Sequence, residues 1–223
     1  MEATVDPVEA EKQLAAETAA MLAEDGMTVG LGTGSTVAYL LPALARRGLK
    51  LLRCVATSPA TEAAARKLGL SVEPFAGIEQ LDLAIDGADQ VGDDGWLVKG
   101  GGAAHTREKI VAAAADRFVV IASSDKLVER VGPPVPLELL VFGSAATLHA
   151  LRPAELRDVP PSPDGGVIAD YLGEFEDPAA LAARLDGTPG MIGHGLFPPQ
   201  LVAEVIVARA GQVERRSAGG TAG

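Results

Sequence analysis

The sequence predicts an α/β protein with a mostly parallel, Rossmann-like sheet flanked by helices. A smaller α+β, ferredoxin-like subdomain is inserted before the last strand. Up to Asp125, short apolar or β-branched runs alternate with Ala-rich segments of helical length, as in a parallel sheet with crossover helices. After Val131 the chain becomes proline-rich, and a late apolar run is able to rejoin the main sheet. A chain of 223 residues is long enough to bury a substantial core.

Composition and turn residues place the individual elements. Segments rich in Ala, Glu and Leu predict helices over 8–24, 35–48, 59–69, 105–116, 144–153 and 178–187. Apolar runs bounded by glycine predict strands over 27–32, 51–57, 81–86, 95–100, 118–123, 166–173, 190–197 and 201–211. The run FVVIAS is a near-continuous apolar run, which is typical of a strand buried on both faces. Pro42 predicts a kink in its helix.

These elements divide into two predicted units and a tail. Residues 1–130 together with 200–216 form the main α/β unit, which we expect to carry the catalytic residues. Residues 131–199 form the small α+β unit, because this part of the chain, which begins with the proline-rich segment, has a predicted strand–helix–strand–helix–strand order. The small residues of 217–223 predict a disordered tail.

Composition also restricts the partners. A net charge of −11 and a pI near 4.7 argue against nucleic acid or an anionic membrane, although a locally positive pocket still accepts a small anion. The single cysteine, Cys54, lies in an apolar run and is expected in the core, and one cysteine forms no internal disulfide. Neither a secretion signal nor an apolar run of roughly 18 residues is found, which predicts a cytoplasmic protein.

The segment GLGTGST, from Gly30 to Thr36, is a glycine-rich turn between a predicted strand and a predicted helix. Backbone N–H groups at a helix start form an anion site, and the hydroxyls of Thr33, Ser35 and Thr36 add donors. The dinucleotide fingerprint G-x-G-x-x-G fits in neither register, and no G-K-[ST] follows. The segment therefore predicts a site for one phosphate or a sugar hydroxyl edge, with a capped turn of no chemical role as the alternative.

Two carboxylates, Asp86 and Asp89, follow the predicted strand 81–86. Open α/β sheets bind ligands at strand ends. Close carboxylates repel each other, which raises the pKa of one and allows proton transfer. The alternative for Asp89 is an Asx turn that caps a helix.

The segment KGGGAAHTREK, from Lys99 to Lys109, places three consecutive glycines between a strand and a helix. Glycine loses more backbone entropy on folding than any other residue, so such a run is expected where the backbone must approach a ligand. Lys99 can neutralise developing negative charge, and Glu108 near the helix start is a candidate base. The alternative for Glu108 is a carboxylate that only stabilises the helix.

The remaining candidates carry weaker signals. Lys126 also follows a strand, where a lone lysine is usually solvated. The histidines His105, His149 and His194 lack the spacing of a metal site, so no metal is predicted. His105 borders the glycine run, and both a place near the pocket and a place outside it stay open.

Together these segments closely resemble ribose-5-phosphate isomerase A. The matching text is VGLGTGST, TSPAT, DLAIDGAD, KGGGAAHTREK, PLELL, DGGVIADY and GLF, in the family's order, and the likeness runs from about Glu9 to Arg209. DGAD followed closely by KGGGAA and TREK is highly specific. Departures are Gln90 where an acidic residue commonly stands, His105 where an apolar one does, and the prolines after GLF, and none removes a matched catalytic residue.

The resemblance implies interconversion of D-ribose 5-phosphate and D-ribulose 5-phosphate through a cis-enediolate, in the non-oxidative pentose phosphate pathway, with no cofactor. Glu108 matches the catalytic base, Lys99 the lysine near the enediolate, and Asp86 and Asp89 the carboxylates that hold sugar hydroxyls and assist ring opening. The substrate-binding residues it implies are Thr33, Gly34, Ser35, Thr36, Asp86, Gly87, Ala88, Asp89, Lys99, Gly100, Gly101, Gly102, Lys126 and Lys12, the last two on the phosphate side. A homodimer or homotetramer is also implied.

Two alternatives of other classes remain. A sugar-phosphate sensing domain of a transcription regulator needs a DNA-binding region, for which an acidic surface and one helix before the first strand are unsuitable. An amino-sugar phosphate deaminase-isomerase or an acyl-CoA transferase shares the fold group, but the KGGGAA segment argues against both.

Overall fold

The computed structural model describes residues 6–217. The α-helices in that range are α1 (Pro7–Ala20), α2 (Ser35–Arg47), α3 (Pro59–Lys67), α4 (His105–Ala113), α5 (Ser144–Ala150) and α6 (Pro178–Asp186). The strands are β1 (Thr28–Leu31), β2 (Arg53–Ala56), β3 (Leu83–Gly87), β4 (Gln90–Gly92), β5 (Leu97–Val98), β6 (Phe118–Ser123), β7 (Leu127–Val128), β8 (Val135–Leu139), β9 (Ala154–Leu156), β10 (Val167–Tyr171), β11 (Met191–His194), β12 (Leu196–Phe197), β13 (Glu204–Arg209) and β14 (Gln212–Ser217). Short 3₁₀ turns follow β6 and β12.

The main sheet has six strands in the order β14-β13-β6-β3-β1-β2. All neighbouring pairs are parallel except β13 and β14, which form an antiparallel pair. Parallel strands need crossover connections, and the helical segments between the strands supply them. The α/β class with a mostly parallel sheet is therefore confirmed.

Alternating side chains of the central strands fill two cores. In β6, Val119 and Ile121 contact the Ala- and Leu-rich faces of α1 and α2, whereas Phe118, Val120 and Ala122 contact the opposite core beside α4. Successive side chains of a strand point to opposite faces, so a strand covered on both sides must be apolar at every position. Cys54 is buried in the first core, as expected.

Side-chain caps and prolines begin three of the helices. Asp6, Ser58 and Asp177 each accept hydrogen bonds from backbone N–H groups of the first turn, and proline follows each of them. By contrast, α2 begins after Gly34, which has a φ of 129° and no side chain to cap the helix. The first N–H groups of α2 are therefore left for another acceptor. The helix continues through Pro42 to Arg47.

The small sheet has four antiparallel strands in the order β11-β8-β10-β9. With α5 and α6 the chain order is strand–helix–strand–strand–helix–strand, the split arrangement of ferredoxin-like folds. Leu137, Leu139, Ala169 and Leu185 lie in its core. Strand β9 was not among the predicted elements.

A third sheet, β12-β5-β4-β7, was not predicted. The strand expected over 95–100 is the two-residue β5 of this sheet, and the strand expected over 190–197 is divided between β11 and β12. The expected last strand is also followed by β14, so the prediction of disorder from residue 217 is wrong for Ser217. The other tail residues, 218–223, lie outside the described residues. The two-unit division of the chain stays a prediction.

Between residues 6 and 217, none of the helices combines the length and the apolar character that crossing a membrane requires.

We expect Ile121→Ala to lower the free energy of unfolding by about 2–5 kcal/mol, because it empties a fully buried site in the central strand. Urea denaturation followed by circular dichroism measures the change. Ile110→Ala is the matched control, since that side chain is 52% exposed and its loss should cost less than about 0.5 kcal/mol. Equal losses in the two variants would contradict the burial argument.

Candidate active site

A cleft lies at the carboxyl edge of the main sheet, where β1 and β3 end side by side. From β1 the chain proceeds to β2, which lies on one side of β1 in the sheet. The next strand, β3, lies on the other side of β1, and β6 follows it there. This reversal of strand order opens a crevice, the place where open α/β sheets bind ligands. The lining residues are Thr33, Gly34, Ser35, Thr36, Gly87, Ala88, Asp89, Lys99, Gly100, Gly101, Gly102, Glu108 and Lys126.

Asp86 lies beneath the cleft, near the end of β3, and is 3% exposed. Its Oδ1 accepts hydrogen bonds from the backbone N–H groups of Thr33, at 3.1 Å, and Gly87, at 2.7 Å. A Cβ atom on Gly32 would overlap this carboxylate. The first glycine loop therefore passes close to Asp86 because residue 32 has no side chain.

Lys99 is the central cation of the site. It follows β5 and is 2% exposed, and its Nζ lies 2.8 Å from Asp86 Oδ2 and 3.2 Å from Glu108 Oε2. The ammonium also donates to the Gly87 carbonyl and lies 5.4 Å from the centre of the Phe197 ring. A buried ammonium is tolerated when opposite charges and acceptors surround it, as they do here.

Glu108 lies in the first turn of α4 and is 3% exposed. Burial and the nearby Asp86 carboxylate raise the pKa of Glu108 to about 8, against the opposing effect of Lys99. A carboxyl with a pKa near neutral exchanges protons readily at physiological pH, which suits a general base. Its position in the cleft lining places it in reach of a ligand.

The other two charges of the cluster respond to the same surroundings. Burial raises the pKa of Asp86, although Lys99 and two backbone N–H groups favour its charged form. Burial opposes the charge of Lys99, but attraction by Asp86 and Glu108 outweighs it and raises the pKa of the ammonium. Lys99 thus stays cationic, and the proton that the cluster can gain or lose belongs to the pair of carboxyls.

The triple-glycine loop runs between Lys99 and α4. Gly100 has a φ of 110°, and a Cβ atom there would lie 2.7 Å from His105 Nδ1 and 2.8 Å from the Pro136 Cβ. The N–H of Gly101 donates to Asp89 Oδ2 at 2.8 Å. Gly100 is therefore required both by its backbone conformation and by the packing behind it.

The other end of the cleft is rich in donors. The uncapped start of α2 presents backbone N–H groups beside the hydroxyls of Ser35 and Thr36, which is a common arrangement for binding an anion. Lys126 lines the same cleft from the turn after β6, and its ammonium lies 3.2 Å from Asp125. This end can hold a phosphate, while the Glu108 end can exchange a proton.

The structure places most of the predicted site residues in one region. All of them except Asp86 and Lys12 line the cleft. Asp86 lies beneath the cleft and contacts Lys99. Lys12 is separate from the lining residues, on α1, where its ammonium lies 2.7 Å from Glu9 Oε1. His105 is fully buried behind the glycine loop and does not line the cleft. Among residues 6–217, no cluster of three or more His, Cys, Asp or Glu side chains has the geometry of a metal site.

Sequence reasoning missed several supporting side chains. Thr57 Oγ1 lies 2.8 Å from Thr33 Oγ1, and Thr61 Oγ1 donates to the Gly32 carbonyl at 2.9 Å. Both threonines belong to the TSPAT segment, so the presence of that motif could have identified them as residues that support the site. Phe197, beneath Lys99, belongs to the GLF segment and had the same kind of signal. Arg157 beside the glycine loop had none, because its contacts join distant parts of the chain.

Known proteins resemble this chain over most of its length. A sequence model of the family described as ribose 5-phosphate isomerase A (phosphoriboisomerase A) matches residues 53–212. A protein of Caulobacter vibrioides named ribose-5-phosphate isomerase A is 45% identical over 202 residues, which are 84% of this chain and 89% of the relative. Another of that name from Roseiflexus sp. is 44% identical over 219 residues, 91% of this chain and 94% of the relative.

Solved structures agree with the sequence relatives. Ribose 5-phosphate isomerase A of Methanocaldococcus jannaschii superposes with a TM-score of 0.87 at 30% identity, covering 92% of this chain and 97% of that one. A D-ribose-5-phosphate isomerase in complex with phospho-erythronic acid gives a TM-score of 0.88 at 32% identity, covering 94% and 99%.

We expect Lys99→Met to lower the free energy of unfolding by about 3–5 kcal/mol at pH 8, because it leaves two buried carboxyls without their cation. Because Lys99 lowers the pKa values of Asp86 and Glu108, its removal would raise their folded-state pKa values further above the unfolded ones than in the wild type. The variant therefore binds more protons on folding than the wild type does, and its deficit should shrink as pH falls toward about 5. Urea denaturation across this pH range measures the deficit. Lys67→Met, on the exposed face of α3, is the control, and a pH-independent deficit would argue against buried carboxylates.

Proposed function

Since the chain belongs to the ribose 5-phosphate isomerase A family, we propose that it interconverts D-ribose 5-phosphate and D-ribulose 5-phosphate through a cis-enediolate, with Glu108 as the general base. The observation that carries the proposal is the buried contact of Glu108 with Lys99, 3.2 Å apart, inside a cleft whose far end is suited to a phosphate. Moving a carbon-bound proton next to a carbonyl requires a positioned base and a group that stabilises the oxyanion.

Glu108 would take the proton from C2 of the aldose and return it to C1. The enediolate that forms between these steps carries negative charge on its oxygens, and Lys99 is the cation nearest to the base. Because Lys99 keeps its proton, it stabilises this charge without giving the proton up. Asp86 and Asp89 would hold sugar hydroxyls and assist ring opening and proton transfer between O1 and O2.

The phosphate would bind at the start of α2, where the loop Thr33–Thr36 offers backbone and hydroxyl donors and Lys126 adds positive charge. A firm hold on the phosphate fixes the far end of the sugar, which positions C1 and C2 beside Glu108. One structural relative was solved in complex with phospho-erythronic acid, a sugar-acid phosphate, and this ligand supports a phosphorylated sugar as the substrate of this chain. Lys12 stays in the proposal from the resemblance alone.

The same proposal favours an enzyme over the alternatives. A sensing domain has no need of a buried base with a pKa near 8, and the relatives above carry the name of the isomerase. A homodimer or homotetramer in the cytoplasm, acting in the pentose phosphate pathway, completes the proposal.

We expect Glu108→Gln to lower kcat by roughly 10²–10⁴-fold, the usual effect of losing a general base, with KM little changed. Ketose formation from ribose 5-phosphate measures turnover. Glu214→Gln, an exposed carboxylate on β14, is the matched control and should keep full activity. Near-normal turnover by the Glu108 variant would place the base elsewhere.

We expect kcat/KM to rise with pH, with its inflection near pH 8 and its plateau above that, because the reactive form of Glu108 is the ionised one and its pKa is about 8. The initial rate at low substrate concentration, measured across a pH series, gives the profile. The second ionisation of a phosphate ester has a pKa of about 6. A single inflection near that value would report the substrate instead of Glu108.

A further inference from the structure

We propose that Arg157 is a positioning residue for the reaction, which orients the glycine loop and, through it, the Asp89 carboxylate. The inference rests on the proposed function. Arg157 follows β9 in the small sheet and is far in sequence from every motif that identifies the site. Its guanidinium nevertheless reaches the loop that precedes α4.

A fork of hydrogen bonds fixes the Arg157 guanidinium. Its Nε donates to Asp170 Oδ2 at 2.9 Å, and its Nη2 donates to the other oxygen of the same carboxylate. The side chains of the pair are 19% and 20% exposed, so both are largely shielded from water. A bidentate pair with this geometry is directional, which leaves Nη1 aimed at the loop.

The free edge of the guanidinium contacts two loop carbonyls. Nη1 donates to the Gly100 oxygen at 3.0 Å and lies 3.4 Å from the Gly101 oxygen. The Gly100 oxygen and the Gly101 N–H belong to one peptide group, and that N–H donates to Asp89 Oδ2 at 2.8 Å. Arg157 and Asp89 thus hold opposite ends of the same peptide.

This peptide is easy to reorient without such a hold. It joins two glycines, which adopt many backbone conformations at little cost. If the peptide turned over, its carbonyl would face the Asp89 carboxylate and the two oxygens would repel each other. Hydrogen bonding at the carbonyl also polarises the peptide and strengthens the N–H as a donor. Arg157 therefore favours the orientation in which Asp89 is fixed in the cleft.

The loop also sets the distance between the reacting groups. It leads from Lys99 into the helix that carries Glu108, so a displaced loop disturbs their 3.2 Å contact. A misplacement of about 1 Å in an active site can cost a factor of about 10² in rate. The phosphate end is built from other segments, the start of α2 and the turn after β6.

The test compares Arg157→Lys with wild type in the isomerase assay. Lysine keeps the charge but cannot make the fork to Asp170 and reach the carbonyls together. We expect kcat to fall by roughly 10- to 100-fold. The inhibition constant of inorganic phosphate should stay near wild type, because it reports the phosphate end. Asp170→Asn should lower kcat in the same way, and the double variant should be no worse than Arg157→Lys, because the two side chains act as one unit.

Arg184→Lys is the matched control, since Arg184 also packs beside the small sheet, where it contacts Tyr171 of β10 away from the cleft. It should keep wild-type kcat. Full activity in Arg157→Lys beside an active wild type would overturn the inference and leave the proposed function intact. An equal loss in Arg184→Lys, with equal lowering of the melting temperature, would also overturn it, because the role would be structural. A wild type without turnover would contradict the proposed function and this inference with it.

Discussion

The rest of the structure depends on one buried ammonium held between two carboxyls. Asp86 comes from β3, Lys99 follows β5, and Glu108 comes from α4, so three separate segments must meet within 3.2 Å. Removing these charges from water is costly, and the cluster is tolerated because each charge has a partner and Asp86 also accepts two backbone N–H groups. The same burial raises the pKa of Glu108 to about 8, near the pH of the cell, where the carboxyl can exchange a proton.

The glycines follow from that constraint. The loop after β1 reaches Asp86 because a side chain at residue 32 would occupy the space of the carboxylate. The loop after β5 bends at Gly100, where the backbone adopts a φ of 110° against His105 and Pro136. Both loops are short on side chains and rich in hydrogen-bonding backbone groups, so the ligand would meet peptide dipoles from two directions. The cleft is shaped by backbone as much as by side chains.

Sequence reasoning reached the main sheet and the lining of the cleft for identifiable reasons. The run FVVIAS is apolar up to its last residue, Ser123, which predicted the doubly buried β6, and the glycine motifs marked strand ends. Polar β14 was missed because QVERRS is an exposed edge strand, where apolar residues are not required. The third sheet consists of strands too short to leave a pattern. The raised pKa of Glu108 and the contacts of Arg157 depend on which segments meet in space, and no local pattern contains that information.

The position of β13 has a consequence for how the chain matures during synthesis. This strand pairs with β6, yet the whole small sheet is translated between the two. As the chain leaves the ribosome, β6 therefore has an unpaired and strongly apolar edge until residues 204–209 emerge. Until then the main sheet lacks its last parallel strand. A nascent chain halted before Glu204 exposes this apolar edge, and transiently exposed edges of that kind promote aggregation.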